Sequence, residues 1–296
     1  MIKNFQELRK KITGKPKTIV AAAAHDSHTL EAIFAAAKEL NLRYILVGNR
    51  EKIASISLEL GSQPDSDTIV DATDDADCAR TAVELIKEGR ADALMKGILD
   101  TATFLKAVLD TETDIRGSGT LSHLAVLELP QYHKLIGITD GGMIPNPTLA
   151  QKIEIARNAA RYYRNIGYGQ PKIAALCAAE KVSPKIPETV DAAELQKMCK
   201  NGELGSCLLE GPLSFDIAID RESAQVKGFS SEISGETDIL LVPNITVGNV
   251  LTKGLIYWAD AKMAGCVLGA KVPIVLASRA ASSEEKLLSI MLSLAV

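Results

Sequence analysis

The sequence predicts an α/β protein with mainly parallel sheets and two domains, on three observations. Short apolar runs rich in β-branched residues alternate, nearly from end to end, with stretches whose apolar residues recur at helical spacing. Hydrophobic residues make up 47% of the chain but aromatics only 4%, so the core is built from Ala, Val, Ile and Leu, as suits helices laid on a parallel sheet. At 296 residues the chain exceeds the usual size of one domain, and length alone favours two.

The elements follow in order. The opening "MIKNFQELRKKITG" reads as a short amphipathic helix without the apolar centre of a signal peptide. No later run approaches the roughly 18 apolar residues of a membrane span, so a cytoplasmic protein without a membrane partner is expected. Strands are predicted at 18–24, 43–48, 68–72, 91–96, 121–129, 134–139, 172–177, 207–209, 238–243 and 273–277, most of them separated by one helix. The clearest helix is "IPNPTLAQKIEIARNAARYYRNIGYG", with Asn146 placed to cap, Pro147 in the first turn and Gly167 closing it. The runs 121–129 and 134–139 break the alternation around the short turn "PQYH"; they read as an antiparallel hairpin or as the edge where a second domain begins. No linker rich in Pro, Gly or Ser divides the chain, and no repeat is visible.

Charge and motif content remove several function classes. The net charge of −4, the lack of a long Lys/Arg cluster and the scarcity of aromatics give no basis for nucleic-acid binding, so any phosphate recognition must be local. Cys78, Cys177, Cys199, Cys207 and Cys266 are scattered without a CxxC pair and read as buried free thiols. The patterns GxxxxGK[ST], GxGxxG and GxSxG are absent, leaving the glycines at 117–119 and 140–142 as turn residues. In "AHDSH", His25 and His28 lack further metal ligands, and helix capping by Asp26 or Ser27 is the better reading.

Four strand-to-helix turns carry polar residues where α/β sheets bind ligands. In "ALMKGILDTATFLKAVLD", Lys96 and Gly97 end a strand and Asp100, Thr101 and Thr103 open a helix, which makes an anion pocket or an ordinary cap. "ITDGGMIPNPT" offers Asp140, Asn146 and Thr148. "LVPNITVGNVLTKGLIYWADAKMAG" offers Asn244, Thr246, Gly248 and Asn249. The final strand breaks off at Ser278 and Arg279, before apolar residues resume at helical spacing over 282–294. That pair reads as a site edge or as capping plus a surface charge.

With "LEGPLSFDIA" between them, "KGILDTATFLKAVL", "ITDGGMIPNPTLAQK", "VPNITVGNVLTKGL" and "LASRAASSEEKL" give the chain, over nearly its whole length, an ordered resemblance to the phosphate acetyl/butyryl transferase family. The acetyl-transferring branch typically has Ser-Gly-Ala and a His-Thr turn where this chain reads "MKGILD"; that departure, with the compact length, favours the butyryl branch. The resemblance implies reversible acyl transfer between coenzyme A and inorganic phosphate through a ternary complex, with CoA as substrate and no cofactor. It also implies a fold like that of the isocitrate and isopropylmalate dehydrogenases, two α/β domains flanking a cleft, in a homodimer or higher homo-oligomer. On that basis residues 1–135 and 270–296 are expected to form one domain and 136–269 the other.

Residue roles follow from the same resemblance. A CoA thiol with a pKa of about 8.5 is only a few per cent ionised near neutrality, a gap of roughly 2 kcal/mol that a transferase gains by closing. Ser278 and an acid seven positions on, Glu285, match the pair proposed to assist deprotonation; Glu285 is longer than the aspartate common in the acetyl branch, and Glu284 is its rival. Arg279 suits phosphate or the developing oxyanion. Lys96, Gly97, Thr101, Thr103 and Asn146 are assigned to the phosphate or acyl phosphate, and Asn244, Thr246, Gly248 and Asn249 to CoA and the acyl group. No metal is required, because acyl phosphate is already an activated donor. The alternatives are an acetyl-preferring transferase, a metal- and NAD(P)-dependent hydroxyacid dehydrogenase drawing on Asp216 and Asp220, and a CoA-binding regulator without activity.

Overall fold

The computed structural model describes residues 1–12, 17–110, 115 and 119–295, so positions 117 and 118 of the expected glycine turn lie outside the described residues. The elements are α1 (Phe5–Arg9), β1 (Thr18–Ala22), α2 (Ser27–Leu40), β2 (Arg43–Gly48), α3 (Arg50–Glu59), β3 (Ile69–Asp71), α4 (Asp75–Lys87), β4 (Ala93–Lys96) and α5 (Thr101–Leu109). There follow β5 (Ser122–Glu128), β6 (Ile136–Thr139), α6 (Leu149–Asn165), β7 (Lys172–Leu176), α7 (Pro187–Lys200), β8 (Leu208–Leu213), α8 (Phe215–Ile219), α9 (Arg221–Val226), β9 (Ile239–Leu241), α10 (Ile245–Trp258), β10 (Lys262–Leu268), β11 (Ile274–Val275) and α11 (Ser283–Leu294).

The chain packs as two compact units, Met1–Glu7 with Thr120–Met263, and Leu8–Gly119 with Ala264–Val296. These divide at 7/8, 119/120 and 263/264, whereas the expected domains meet at 135/136 and 269/270 and keep residues 1–7 with the first. The hairpin of β5 and β6 lies wholly within the 120–263 unit, because its strands exchange ladder hydrogen bonds.

In the 8–119/264–296 unit the strands run in the order β3-β2-β1-β4-β11-β10, parallel except where β10 meets β11. Ile19, Ala21, Leu46, Met95 and Val275 of the sheet close a core with Leu30 and Ile33 of α2 and Ile290 of α11. In the 120–263 unit the order is β5-β6-β9-β7-β8, parallel except for the hairpin. Buried Lys134 donates to the Glu236 carbonyl at 2.7 Å and to Asp238 Oδ1 at 2.5 Å, and Asp238 Oδ2 accepts from the Lys172 backbone N–H at 2.8 Å. A buried cation is tolerated there because it is both paired and hydrogen-bonded.

Three sequence expectations need correction. Helix α6 starts at Leu149 with Thr148 as its cap, Thr148 and Gln151 forming a reciprocal capping box; Asn146 lies two residues outside it and is exposed. Strand β10, whose Ala264 and Gly265 dilute its β signal, is not among the predicted strands. β8 runs on through Gly211 and Pro212 instead of stopping at 209, which proline permits because β8 is an edge strand.

Candidate active site

Strands β1, β4 and β11 lie side by side and parallel in one unit, so their carboxyl ends point the same way and each leads into a helix. Asp26 caps α2 by accepting the Thr29 N–H at 3.0 Å, Asp100 caps α5 through Thr103, and Ser282 caps α11 by accepting the Glu285 N–H at 3.1 Å. Three helix N-termini, each with positive dipole character, therefore follow neighbouring strand ends. The turn after β4 is held tightly to the turn after β1. Gly97 N–H donates to the Ala22 carbonyl at 2.8 Å and Ile98 N–H to the Ala23 carbonyl at 3.1 Å. A Cβ at position 97 would overlap both carbonyl oxygens.

Buried cations collect on these turns. Lys96 is 1% exposed and donates to the carbonyls of Gly97 at 3.0 Å and Leu99 at 2.9 Å, leaving one ammonium N–H for a further acceptor. Burial first, then the charges of Lys286 and Arg279, bring its pKa down to about 8. Lys286, also 1% exposed, donates to Thr29 Oγ1 at 3.0 Å and stands 3.9 Å from Asp26 Oδ1; burial lowers its pKa as well. Asp26 Oδ2 is buried without a hydrogen-bond partner. Arg279 is exposed, and its charge bears on both Lys96 and Asp100. Asp100 lies below the usual carboxylate range, chiefly because Thr103 Oγ1 and N–H donate to it at 2.6 and 2.9 Å. Burial raises the Glu285 carboxyl, against the pull of Lys286.

Of the residues singled out in the sequence, Lys96, Gly97, Thr101, Thr103, Ser278, Arg279 and Glu285 thus share one end of one sheet. Ser278 is exposed, and its Oγ accepts the Ala280 N–H at 3.3 Å; among the described residues no hydrogen bond joins it to Glu285. The Thr103 hydroxyl is committed to Asp100 as part of a cap. Asp26 acts as the expected cap of "AHDSH", whereas its proximity to a buried lysine was not foreseen. Lys286 is the principal residue missed; "SEEKLL" reads as the charged first turn of a helix, and only the fold turns that position inward.

The other turns belong to the 120–263 unit. Asp140, 1% exposed, accepts the N–H groups of Gly142 at 2.8 Å and Met143 at 2.9 Å through Oδ1, while its Oδ2 is buried and unpartnered. His123 Nδ1 is likewise buried without a partner, and burial holds its imidazole below the ordinary pKa despite the charge of Asp140. Asn244 caps α10 by accepting the Val247 N–H at 3.1 Å, Thr246 and Asn249 are exposed, and Gly248 is buried against Gly141. Asp216 pairs with Lys227 at 2.8 Å and Asp220 caps α9, so both carboxylates named for a dehydrogenase are engaged in local contacts. Among the described residues no group of three or more His, Cys, Asp or Glu side chains is arranged to hold a metal ion, and no helix is long and apolar enough to cross a membrane.

Residues 75–294 match the family described as Phosphate acetyl/butaryl transferase. A phosphate butyryltransferase of Clostridium acetobutylicum is 42% identical over 99% of this chain and 98% of its own length. A phosphate acetyltransferase of Thermotoga maritima is 38% identical over 98% of each. The crystal structure of a branched-chain phosphotransacylase from Enterococcus faecalis superposes with a TM-score of 0.82 at 35% identity, covering 94% of this chain and 98% of that one. The turn that carries Lys96, the turn that carries Arg279 and helix α11 with Lys286 all fall within the matched region, and the chain belongs to the phosphate acetyl/butaryl transferase family.

Proposed function

We propose that this protein is a phosphate acyltransferase that moves a short-chain acyl group, C4 or C5 in preference to acetyl, reversibly between coenzyme A and inorganic phosphate. The observation that carries this reading is the gathering of Lys96, Lys286 and Arg279 at the carboxyl ends of β4 and β11, on the turns of a family whose relatives are named for phosphate acyl transfer. Three cations beside the positive end of a helix suit a phosphate dianion, and they have no part in simple thioester hydrolysis. The butyryl preference is supported by the 42% relative and by "MKGILD"; the 38% acetyltransferase relative keeps acetyl as the second reading.

In this reading Lys96 and Thr101 at the start of α5 receive phosphate, with the Thr103–Asp100 cap holding that turn in place. Asn244, Thr246, Gly248 and Asn249 contact CoA or the acyl chain. Glu285, with Ser278, takes the thiol proton, so that CoA sulfur is attacking or leaving as thiolate. Arg279 stabilises the oxyanion formed when phosphate and thiolate compete for one carbonyl carbon. The same proposal includes a dehydrogenase-like fold relationship, supported by the parallel α/β build of each unit, and a cytoplasmic homodimer without a resident cofactor or metal. Parallel assays with butyryl-CoA and acetyl-CoA, each with and without phosphate, test it through free thiol release. Phosphate-dependent release with higher kcat/KM for butyryl-CoA is expected. A higher value for acetyl-CoA would move the protein to the other branch, and release indifferent to phosphate would remove the transferase assignment.

A further inference from the structure

Cys199 in the last turn of α7 and Cys207 just before β8 place their sulfurs 3.7 Å apart, and the Cys199 thiol also reaches the Cys207 carbonyl at 3.4 Å. A disulfide needs the sulfurs at about 2.05 Å, so closure asks for a movement of about 1.6 Å, within the reach of side-chain rotation. The joining segment 201–206 is exposed except at Leu204, and it turns back through Gly202 and Gly205 at φ of 81° and 77°, which brings the two cysteines side by side. Cys199 is half-buried and, with Cys207, lines a surface cavity of about 450 Å³ also bounded by Gln170, Gln196, Lys200 and Glu232, which gives a small oxidant a way in.

We propose that Cys199 and Cys207 form a reversible dithiol–disulfide site that is closed by hydroperoxides, a modification site separate from the acyl-transfer chemistry. Cys199 thiolate attacks one peroxide oxygen; the S–O bond forms as the O–O bond breaks, and the departing oxygen leaves as water or an alcohol after protonation. Cys207 sulfur then attacks the resulting sulfenic sulfur, forming the S–S bond as the S–O bond breaks, and a molecule of water leaves. Two thiols are oxidised and one peroxide is reduced. The division of labour follows from the surroundings of the pair: Cys199 is the half-buried sulfur and Cys207 the buried one, and the hydrogen bond the two sulfurs share holds the Cys199 pKa down to about 7 while Cys207 is raised. Cys78 and Cys177, pushed by burial up to about 11 and about 12, and the fully buried Cys266, also raised, are poorly suited to the first step.

The test uses the reduced full-length protein, a small excess of hydrogen peroxide, blocking of the remaining thiols and peptide mass mapping. A bond between Cys199 and Cys207 is expected, seen as the loss of about 2 Da, with the other three cysteines still free and full reversal by dithiothreitol. Cys207→Ser should stop at a sulfenic acid on Cys199 that dimedone traps, and Cys199→Ser should abolish the reaction. Should either variant fold poorly in a thermal melt, wild-type alkylation at pH 7 decides, with Cys199 modified at least about tenfold faster than Cys78, Cys177 or Cys266. Oxidation of other cysteines first, or sulfinic acid on Cys199 beside a free Cys207, would overturn the proposal.

Discussion

Replacing Lys96 with methionine separates a functional cation from a structural one. The ammonium is held down to about 8 from an ordinary value near 10.5, so keeping it charged inside the fold costs about 3 kcal/mol at neutral pH. Because the folded pKa is the lower one, the folded state binds fewer protons than the unfolded chain between about pH 8 and 10.5. The cost is fully present below pH 8 and is relieved as pH rises through that window. Methionine removes the charge and keeps most of the volume, but it leaves the carbonyls of Gly97 and Leu99 without their donor, a loss of about 1 to 2 kcal/mol. The balance at pH 7 is a gain of about 1 to 2 kcal/mol, or roughly 2 to 8 °C in Tm. At pH 10 wild-type Lys96 is largely neutral and the variant becomes the less stable protein. Activity moves the other way: loss of a charge-assisted bond to phosphate should lower kcat/KM by about 10- to 100-fold at pH 7. Thermal melts at pH 7 and pH 10 beside phosphate-dependent kinetics read all three quantities. A variant that melts lower at pH 7 and turns over like wild type would show that Lys96 is only a structural clamp.

Further outcomes follow from the same geometry. Lys286→Met removes the like charge nearest in effect on Lys96 and should move the alkaline limb of the pH–kcat/KM profile upward from about pH 8; an unmoved limb would separate the two lysines. Glu285 as the thiol base requires its carboxylate form, so activity should rise with pH through a pKa above the ordinary glutamate value, and Glu285→Gln should lose that acid limb along with most of its rate. Arg279→Ala, at an exposed position, should leave Tm nearly unchanged while kcat/KM falls by about 10² to 10³, and Ser278→Ala combined with Glu285→Gln should be less than additive. Gly248→Ala would place a Cβ 2.6 Å from Gly141 Cα and should destabilise by about 1 to 3 kcal/mol or more in chemical denaturation.

The strand–helix alternation was legible because burial on a parallel sheet writes itself as short apolar runs, and so was the pairing of Asp26 with the start of α2. Two kinds of feature were not. Local competition hid some: the cap of α6 could fall at Asn146 or Thr148, and only the capping box with Gln151 decides between them. Long-range contact hid the others. Lys286 and Thr29 are 257 residues apart in sequence, and no periodicity shows that one donates to the other. The same holds for the contact between Gly141 and Gly248, and for the sulfurs of Cys199 and Cys207, which sequence reads as scattered buried thiols.

The most direct measurement follows both products of one reaction. Butyryl-CoA is incubated with and without inorganic phosphate, free CoA thiol is titrated, and acyl phosphate is trapped with hydroxylamine as the hydroxamate, for wild type and for folded Arg279→Ala. Thiol and hydroxamate should appear in equal amounts, only with phosphate, and both should fall together by about 10² to 10³ in the variant. Thiol released without phosphate, or hydroxamate formed at wild-type rate by Arg279→Ala, would contradict the assignment of the Lys96–Arg279 turns to phosphate acyl transfer.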